Sequence, residues 1–434
     1  MTLQALRGTA DILAGELERW STIERTARRI ARLYGFEELR TPLIEDASLF
    51  LRSIGETSDI VQKEMFRFED RGGHDIVLRP EGTASVVRAY LEHNLHKTQG
   101  FAKLFYLGPM FRAERPQAGR FRQFHQYGVE AIGSSSPWVD VEAIILCLHI
   151  LRACGVTDVA LWLSSMGCRA DQQRSAQRLR EQLAPKRASL CKECQSRFDK
   201  NVFRILDCKN PTCQAIVADV VKGSPFLLCE ACVAHFDTVR QGLTTAGITF
   251  DDTQRFARGL DYYTRTVFEV RAKGLGAQDA VAAGGRYDHL VEELDGPSVG
   301  AFGFAAGIER VLMVAKFSVA QQSSALSRRG LYLAIAQPEL IQNAFQLVQQ
   351  LRERGITAMM SHDEKSLKAQ LREADQANCE IVAILGEREL KDRKIVVREL
   401  GPRSCSRTLG RSEGTITLDT FVDEMAQHLK PTCH

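Results

Sequence analysis

FRAERPQAGRFRQFHQYGVEAIG, residues 111–133, is the stretch of sequence that decides the fold. Its second half predicts a β-strand over residues 121–133. The residues before it predict another strand over 104–112, and residues 113–120 form the loop between the two strands. If the strands pair across this loop, they belong to an antiparallel sheet.

The strand over residues 121–133 places an unusual set of side chains on one face of the sheet. Side chains alternate between the two faces of a strand, so Gln126, Gly128 and Glu130 share a face. Because the glycine has no side chain, an amide and a carboxylate flank an open space in which a ligand fits. Taken alone, the same pattern is equally consistent with a solvated face of an antiparallel sheet.

The loop and the strand ends beside it are rich in charged side chains. Within eleven positions lie Arg112, Glu114, Arg115, Arg120 and Arg122. Arginine binds phosphate through two parallel hydrogen bonds, so a nucleotide could be held here. The sequence contains no phosphate loop that ends in Gly-Lys-Ser/Thr, and such a nucleotide would therefore be held by side chains on a sheet. The alternative is a loop that is merely exposed.

Four further segments combine small residues with charged or aromatic ones. They are Arg79–Thr83, Arg258–Tyr263, Gly284–Asp288 and Gly303–Arg310. In the first segment Thr83 is predicted to be the N-cap of the helix that follows, which would put Glu81 just before a helix N-terminus. Each segment by itself is also explained by helix capping or by a core strand with a turn. Together, over about 230 residues, they are hard to explain by packing alone.

Taken together, these segments resemble the histidyl-tRNA synthetase family of class II aminoacyl-tRNA synthetases. The most specific matches are LRPEGTA at 78–84, RGLDYYTRTVFE at 258–269 and GGRYD at 284–288. Residues 34–42, 111–126 and 303–310 look like motifs 1, 2 and 3 of the class. The resemblance covers essentially the whole chain and is less sharp in the C-terminal part.

The resemblance implies a role for each matching residue. The implied histidine-binding set is Glu81, Gly82, Thr83, Arg112, Gln126, Glu130, Arg258, Tyr262 and Tyr263. The implied ATP-binding set is Arg112, Glu114, Arg120, Phe124 and Arg310, with the adenine between the last two. Arg112 and Arg258 are the implied catalytic residues, since fixed cations stabilise the negative charge that builds on the α-phosphate.

The resemblance also implies the reaction and the partners. Histidine would react with ATP, which comes with Mg²⁺, to give histidyl-adenylate and pyrophosphate. Transfer of histidine to the 3′ end of tRNA(His) would then release AMP. The implied protein is a homodimer. The alternative is a catalytically inactive regulatory paralogue of ATP phosphoribosyltransferase, which binds histidine. Such a paralogue typically lacks the C-terminal domain and the arginines, whereas this chain keeps Arg112, Arg120, Arg258 and Arg310.

The sequence predicts three structural parts. An α+β catalytic domain with an antiparallel sheet, of the class II synthetase type, is expected over residues 1–168 and 251–317. A mainly helical insertion interrupts it at residues 169–250. A Ser/Gln-rich linker at residues 318–330 leads to a C-terminal α/β anticodon-binding domain over residues 331–434.

Two Cys-x-x-Cys pairs in the insertion predict a structural zinc ion. The ligands would be Cys191, Cys194, Cys229 and Cys232, because four thiolates give the tetrahedral geometry that zinc prefers. The 34 residues between the pairs exceed the usual spacing, and Cys208 and Cys213 lie between them. Reduced buried thiols and redox chemistry are the alternatives.

Composition and charge exclude several classes of protein. The 434 residues are 44% hydrophobic and 26% charged, which is ordinary for a globular protein and excludes a fibrous or disordered chain. There is no apolar stretch of membrane-spanning length and no signal-peptide pattern, so a cytoplasmic protein without a membrane partner is expected. The net charge is only +3. Basic patches at residues 169–213 and 388–411 favour a long RNA as a local partner.

Overall fold

The structure is a computed structural model of the chain. It describes residues 3–55, 58–117, 119–206, 208, 210–221, 225–253, 262–275, 279–316, 330–400 and 413–429. The chain divides into two compact units, Met1–Ser318 and Val319–His434. In the described part of the chain, no helix combines the length and the apolar character needed to cross a membrane.

The strands of the first unit form two sheets. In chain order the described strands are β1 (Glu37–Glu38), β2 (Ile44–Asp46), β3 (Phe66–Glu69), β4 (Asp75–Leu78), β5 (Ala102–Phe111), β6 (Gln123–Ile132), β7 (Val159–Ser165), β8 (Thr264–Ala272), β9 (Ala280–Arg286) and β10 (Ala301–Gly307). The large sheet has the order β1-β5-β6-β10-β9-β8-β7 and the small sheet the order β2-β4-β3. Every pair is antiparallel except β1 with β5. The predicted antiparallel sheet is therefore confirmed.

Helices cover the large sheet and build the insertion. The described helices of this unit are α1 (Ala14–Leu33), α2 (Ala47–Ile54), α3 (Thr83–Glu92), α4 (Leu95–Thr98), α5 (Pro137–Ala153), α6 (Arg169–Leu183), α7 (Lys192–Lys200), α8 (Pro211–Val220), α9 (Glu230–Thr245), α10 (Leu290–Glu293) and α11 (Ile308–Val314). Short π or 3₁₀ turns cover Ile60–Glu64, Ala184–Ser189 and Val202–Ile205. Between Arg169 and Thr245 the described elements are all helical, as predicted for the insertion.

The two faces of the large sheet have different environments because side chains alternate along β6. Tyr127, Val129 and Ala131 face the core built with α1 and α5, and all three are fully buried. Gln126 and Glu130 therefore project from the opposite face. α1 and α5 cover one face of the sheet, and the polar side chains singled out in the sequence lie on the other face, against which α3 and α10 pack.

The second unit has its own sheet and its own core. Its described strands are β11 (Leu331–Ile335), β12 (Ala358–Met360), β13 (Ile381–Leu385), β14 (Lys394–Glu399) and β15 (Glu413–Thr417), and its helices are α12 (Ile341–Glu353), α13 (Leu367–Gln376), α14 (Glu387–Lys391) and α15 (Leu418–Leu429), with a 3₁₀ turn at Pro338–Leu340. The sheet order is β12-β11-β13-β14-β15. β11 pairs in parallel with β12 and β13, and the remaining pairs are antiparallel. The predicted C-terminal α/β unit is thus confirmed, with a mixed sheet.

Candidate active site

The floor of the site is the segment of β6 that was singled out in the sequence. The register places Tyr106 of β5 opposite Gly128, and Gly303 of β10 opposite Glu130. A Cβ atom on Gly303 would lie 1.8 Å from Glu130 Oε2, and one on Gly128 would lie 2.4 Å from the Tyr106 hydroxyl. Both glycines are therefore needed because the side chains of Glu130 and Tyr106 occupy the space beside them.

Glu130 is the most deeply enclosed carboxylate of the site. It is fully buried, and the Thr83 hydroxyl donates to its Oε1 at 2.7 Å. The Tyr287 hydroxyl donates to its Oε2. Burial raises the pKa of Glu130 to about 8. The sequence interpretation assigned Thr83 and Glu130 to one site, and the structure brings them together.

A second buried carboxylate, Glu81, closes the N-terminus of α3. Its two oxygens accept hydrogen bonds from the backbone N–H groups of Thr83 at 2.7 Å and Ala84 at 2.8 Å. The N-cap residue is Gly82, so the prediction of Thr83 as the N-cap was wrong. The Thr83 hydroxyl is used by Glu130, and the side chain of Glu81 serves the helix instead. Burial raises the pKa of Glu81.

Tyrosines form the walls around the two carboxylates. The ring centroids of Tyr262 and Tyr263 are 4.8 Å apart, and those of Tyr262 and Tyr287 are 5.7 Å apart. Burial raises the pKa of Tyr106, Tyr262 and Tyr287 well above the usual range, so their hydroxyls stay protonated and can donate hydrogen bonds. The sequence interpretation named Tyr262 and Tyr263 but missed Tyr106 and Tyr287. Tyr287 lies in the quoted segment GGRYD, which was the available signal.

In the same segment, GGRYD at residues 284–288, the arginine holds the backbone in place. Arg286 is fully buried and pairs with Asp140, which also contacts His235 at 2.8 Å. Its guanidinium also donates to the backbone oxygens of Ser134 and Ser136, each at 2.9 Å. This network fixes the end of β9. It therefore holds the next residue, a tyrosine, against Glu130.

Arginines collect at the other end of the site, where β5 ends. The Nε atom of Arg112 donates to the backbone oxygen of Pro80 at 2.9 Å, and its guanidinium carbon lies 5.4 Å from the centroid of the Phe124 ring. Glu114 lies between two arginines, 2.5 Å from Arg120 and 3.9 Å from Arg112. The predicted ATP-binding residues Arg112, Glu114, Arg120 and Phe124 are thus neighbours.

Arg310 joins this end of the site from the first turn of α11. It donates to the backbone oxygens of Gly119 at 3.1 Å and Ala280 at 2.8 Å. Burial lowers the pKa of Arg310, and repulsion from Arg120 acts in the same direction. The predicted catalytic residue Arg258 lies outside the described residues.

The cysteines do not form the predicted zinc site. Among the described residues, the first Cys-x-x-Cys pair groups with Cys208 and Cys213, and the second groups with Cys168 and Asp171. The grouping Cys191, Cys194, Cys229 and Cys232 was therefore wrong. The physical reason is that the two pairs begin different helices of the insertion. The first pair begins α7, and the second begins α9, next to the N-terminus of α6.

Comparison with known proteins finds close relatives along nearly the whole chain. A family model described as histidyl-tRNA synthetase matches residues 8–311, and one described as anticodon binding domain matches residues 330–428. A histidine--tRNA ligase of Desulfitobacterium hafniense is 45% identical over 403 residues, covering 92% of this chain and 94% of that protein. One of Halothermothrix orenii is 45% identical over 410 residues, covering 92% and 95%.

Solved structures agree with these matches. The histidyl-tRNA synthetase of S. aureus superposes with a TM-score of 0.77 at 31% identity, covering 98% of this chain and 100% of that chain. A Bacillus halodurans chain described as an ATP phosphoribosyltransferase regulatory subunit/histidyl-tRNA synthetase gives a TM-score of 0.61 at 19% identity, covering 89% of this chain and 98% of that chain. At that identity the second match establishes a shared fold only.

Proposed function

The chain belongs to the histidyl-tRNA synthetase family, and we propose that it joins histidine to tRNA(His) in two steps at the site on β6. The observation that carries the proposal is the pair of buried carboxylates, Glu81 and Glu130, on a floor of glycines with tyrosine walls. A pocket of this kind suits a small substrate that carries an ammonium group and an imidazole N–H, since both groups donate hydrogen bonds to carboxylates.

Histidine binds at this carboxylate end. Among the described residues, the side-chain oxygen of Gln126 is buried without a hydrogen-bond partner, and so it is available to a donor on the substrate. Glu81, Thr83 and Glu130 contact the polar groups of histidine. Tyr262 and Tyr263 enclose the imidazole ring. Gly82 leaves room for the neighbouring Tyr106 ring, because a Cβ atom on Gly82 would lie 2.4 Å from that ring.

ATP binds at the arginine end, with the adenine between Phe124 and Arg310. Arg112 spans the two ends, because its guanidinium lies beside Phe124 and its Nε bonds to the residue before Glu81. A carboxylate oxygen of histidine attacks the α-phosphorus of ATP, and the bond from that phosphorus to the β-phosphate oxygen breaks. Arg112 and Arg258 stabilise the charge on the α-phosphate. The role of Arg258 is assigned from its match to the family motif at residues 258–269.

Mg²⁺ accompanies ATP and neutralises charge on its phosphates. Oxygen ligands from carboxylates and phosphates are what this ion prefers. Glu114 lies beside Arg120. Glu64 is a neighbour of Glu114, and its pKa is raised first by burial and second by the charge of Glu114. Two neighbouring carboxylates next to the phosphate-binding arginines fit a cation that arrives with ATP, and Glu64 and Glu114 are the residues that would hold it.

In the second step a terminal ribose hydroxyl of tRNA attacks the adenylate carbonyl, and AMP leaves. The C-terminal unit, whose residues 330–428 match an anticodon-binding model, holds the anticodon end of the tRNA. The basic side chains of α14 and β14 supply phosphate contacts there. The protein acts in the cytoplasm as a homodimer, which is the arrangement that the motif 1 segment at residues 34–42 implies.

A charging assay tests this function. The full chain, supplied with ATP, labelled histidine and tRNA(His), should form histidyl-tRNA and AMP in a one-to-one ratio. A chain ending before Gly330 retains the whole first unit and should keep histidine-dependent pyrophosphate exchange while charging tRNA poorly. The regulatory paralogue would give neither reaction, and equal charging by the truncated chain would contradict the role of the C-terminal unit.

A further inference from the structure

The insertion contains a cluster of four thiols that the reaction does not use. The Sγ atoms of Cys191, Cys194, Cys208 and Cys213 all lie within 4.8 Å of one another. A tetrahedral zinc site with Zn–S bonds of about 2.3 Å requires sulfur–sulfur separations of about 3.8 Å. The separation between the Sγ atoms of Cys191 and Cys208 is 3.9 Å. We propose that these four cysteines bind one structural Zn²⁺ ion.

The local backbone is built to hold thiolates at this place. The ligands form a Cys-x₂-Cys pair and a Cys-x₄-Cys pair, which are chelating spacings. The second cysteine of each pair lies in the first turn of a helix, α7 or α8, where the helix dipole favours negative charge. The backbone N–H of Cys191 donates to Cys213 Sγ at 3.2 Å, and that of Asn210 donates to Cys208 Sγ at 3.4 Å. Such N–H···S bonds orient metal ligands.

The packing of the insertion explains why an ion is needed there. Among the described residues, the buried cluster under α6, α7 and α8 has ten members, and Cys194, Cys208 and Cys213 are three of them. The cluster spans residues 179–221, close to the length of about 40 residues below which a separate domain usually depends on disulfides, metals or oligomerisation. The described cysteines are free thiols, so disulfides do not supply this support.

The second thiol group is a weaker metal site because its carboxylate is already engaged. Asp171 accepts hydrogen bonds from the backbone N–H groups of Cys168 at 3.3 Å and Cys229 at 3.1 Å. It also forms an ion pair with Arg174. These contacts join the starts of α6 and α9, and a metal would have to replace them. We therefore expect one zinc ion per chain rather than two.

The consequence of the ion is to fix the insertion against Asp59, which directly precedes the turn Ile60–Glu64 of the catalytic domain. α7 starts at the thiol cluster, and its Arg197 pairs with Asp59 at 3.1 Å. Arg204, which lies between the two cysteine pairs, contacts the same carboxylate at 3.0 Å. Metal loss should release these contacts. The metal site itself stands or falls independently of the histidine reaction.

Metal analysis of the full chain, purified without chelator, tests the proposal. About one zinc per chain is expected in the wild type, and the double variant Cys208→Ser, Cys213→Ser should lose one zinc equivalent. The matched control Cys229→Ser, Cys232→Ser should keep its zinc. A wild-type chain without zinc, or a Cys208→Ser, Cys213→Ser variant with unchanged zinc, would overturn the proposal.

A second measurement covers the case in which the double variant fails to fold. The wild-type chain prepared with Co²⁺ in place of zinc should show the intense visible bands of tetrahedral cobalt and sulfur-to-cobalt charge transfer. Cys213→His keeps four ligands, and it should retain cobalt with bands shifted by the loss of one thiolate. Spectra of octahedral cobalt, or identical spectra for the two proteins, would count against the four-thiolate site.

Discussion

The two ends of the active site are constructed in opposite ways. At the carboxylate end, Glu130 is fully buried and both of its oxygens already accept hydrogen bonds from hydroxyl groups. At the arginine end, the side chains of Arg112 and Arg120 are 23% and 34% exposed and share one carboxylate, Glu114. The hydrogen bonds of Glu130 at the carboxylate end are thus formed before substrate binds, and the Gln126 oxygen is left for a donor on the substrate, whereas the arginine end carries an excess of positive charge.

This difference separates the sources of specificity and rate. A rigid pocket of buried polar groups discriminates against substrates that leave those groups without partners. A cluster of cations, in contrast, gains stability when an anion arrives. The pKa of Arg310 is lowered first by burial and second by repulsion from Arg120, and a bound anion would relieve that repulsion. We therefore expect changes at the carboxylate end to alter histidine binding and changes at the arginine end to alter ATP use and rate.

The largest effect is expected from Arg258→Ala. Loss of one cation at the α-phosphate should lower kcat for histidine-dependent pyrophosphate exchange by roughly 10²- to 10³-fold. Steady-state exchange kinetics measure this. Lys273→Ala, which removes an 88% exposed cation away from the site, is the control and should keep the wild-type rate. Normal kinetics in Arg258→Ala would show that the residue is misplaced.

Glu130→Gln should affect mainly histidine binding. The amide brings an N–H₂ group against hydroxyl donors, so the KM for histidine should rise by roughly 10- to 100-fold, the range expected when a buried polar group is left without its partner. The KM for ATP should stay within about twofold. In Glu114→Gln, by contrast, the KM for ATP should change more than the KM for histidine. Equal changes in both constants for either variant would remove the distinction between the two ends.

Gly303→Ala tests the packing around the carboxylate. The added Cβ would lie 1.8 Å from Glu130 Oε2, so the carboxylate must move, and we expect a loss of about 1–3 kcal/mol in the free energy of unfolding. Urea denaturation measures this loss. Gly15→Ala, in a helix and with open space around it, is the control and should be stabilising. An equally stable Gly303→Ala variant would mean that the floor is not tightly packed.

The smallest effect expected is a pH dependence of stability. The pKa of Glu130 in the folded chain is about 8, above its ordinary value of 4.5, so the protonated carboxyl favours the folded state. This contribution is complete below about pH 4.5 and is lost as the pH rises through about 8. The free energy of unfolding of the wild type minus that of Glu130→Gln, from urea denaturation, should therefore decrease as the pH rises over that range. A constant difference would indicate an ordinary pKa.

The floor of the site could be predicted because it depends on a local pattern. Alternation along one strand was enough to place Gln126, Gly128 and Glu130 on one face, and the register with β10 then explains the need for Gly303. The two strands were predicted to extend to residue 112 and from residue 121. In the structure the first strand ends at Phe111 and the second begins at Gln123. The backbone N–H of Arg112 still donates to the backbone oxygen of Arg122 at 2.8 Å.

The parts that were missed depend on contacts between distant segments. Tyr106 lies in the site because of the register between β5 and β6, and Tyr287 lies there because Arg286 is anchored on Asp140, 146 positions away in sequence. Neither relation is visible in a single segment. The cysteines show the same limit, since spacing identifies a chelating pair but not which pairs meet.

The most direct test of the central claim, that the carboxylate end selects histidine, is pyrophosphate exchange by the wild-type chain with each of the twenty amino acids in turn. The buried donors and acceptors around Glu130 should make histidine the only efficient substrate, by a factor of about 10⁴ or more over analogues that cannot form the same hydrogen bonds. Comparable or faster exchange with another amino acid would contradict the account.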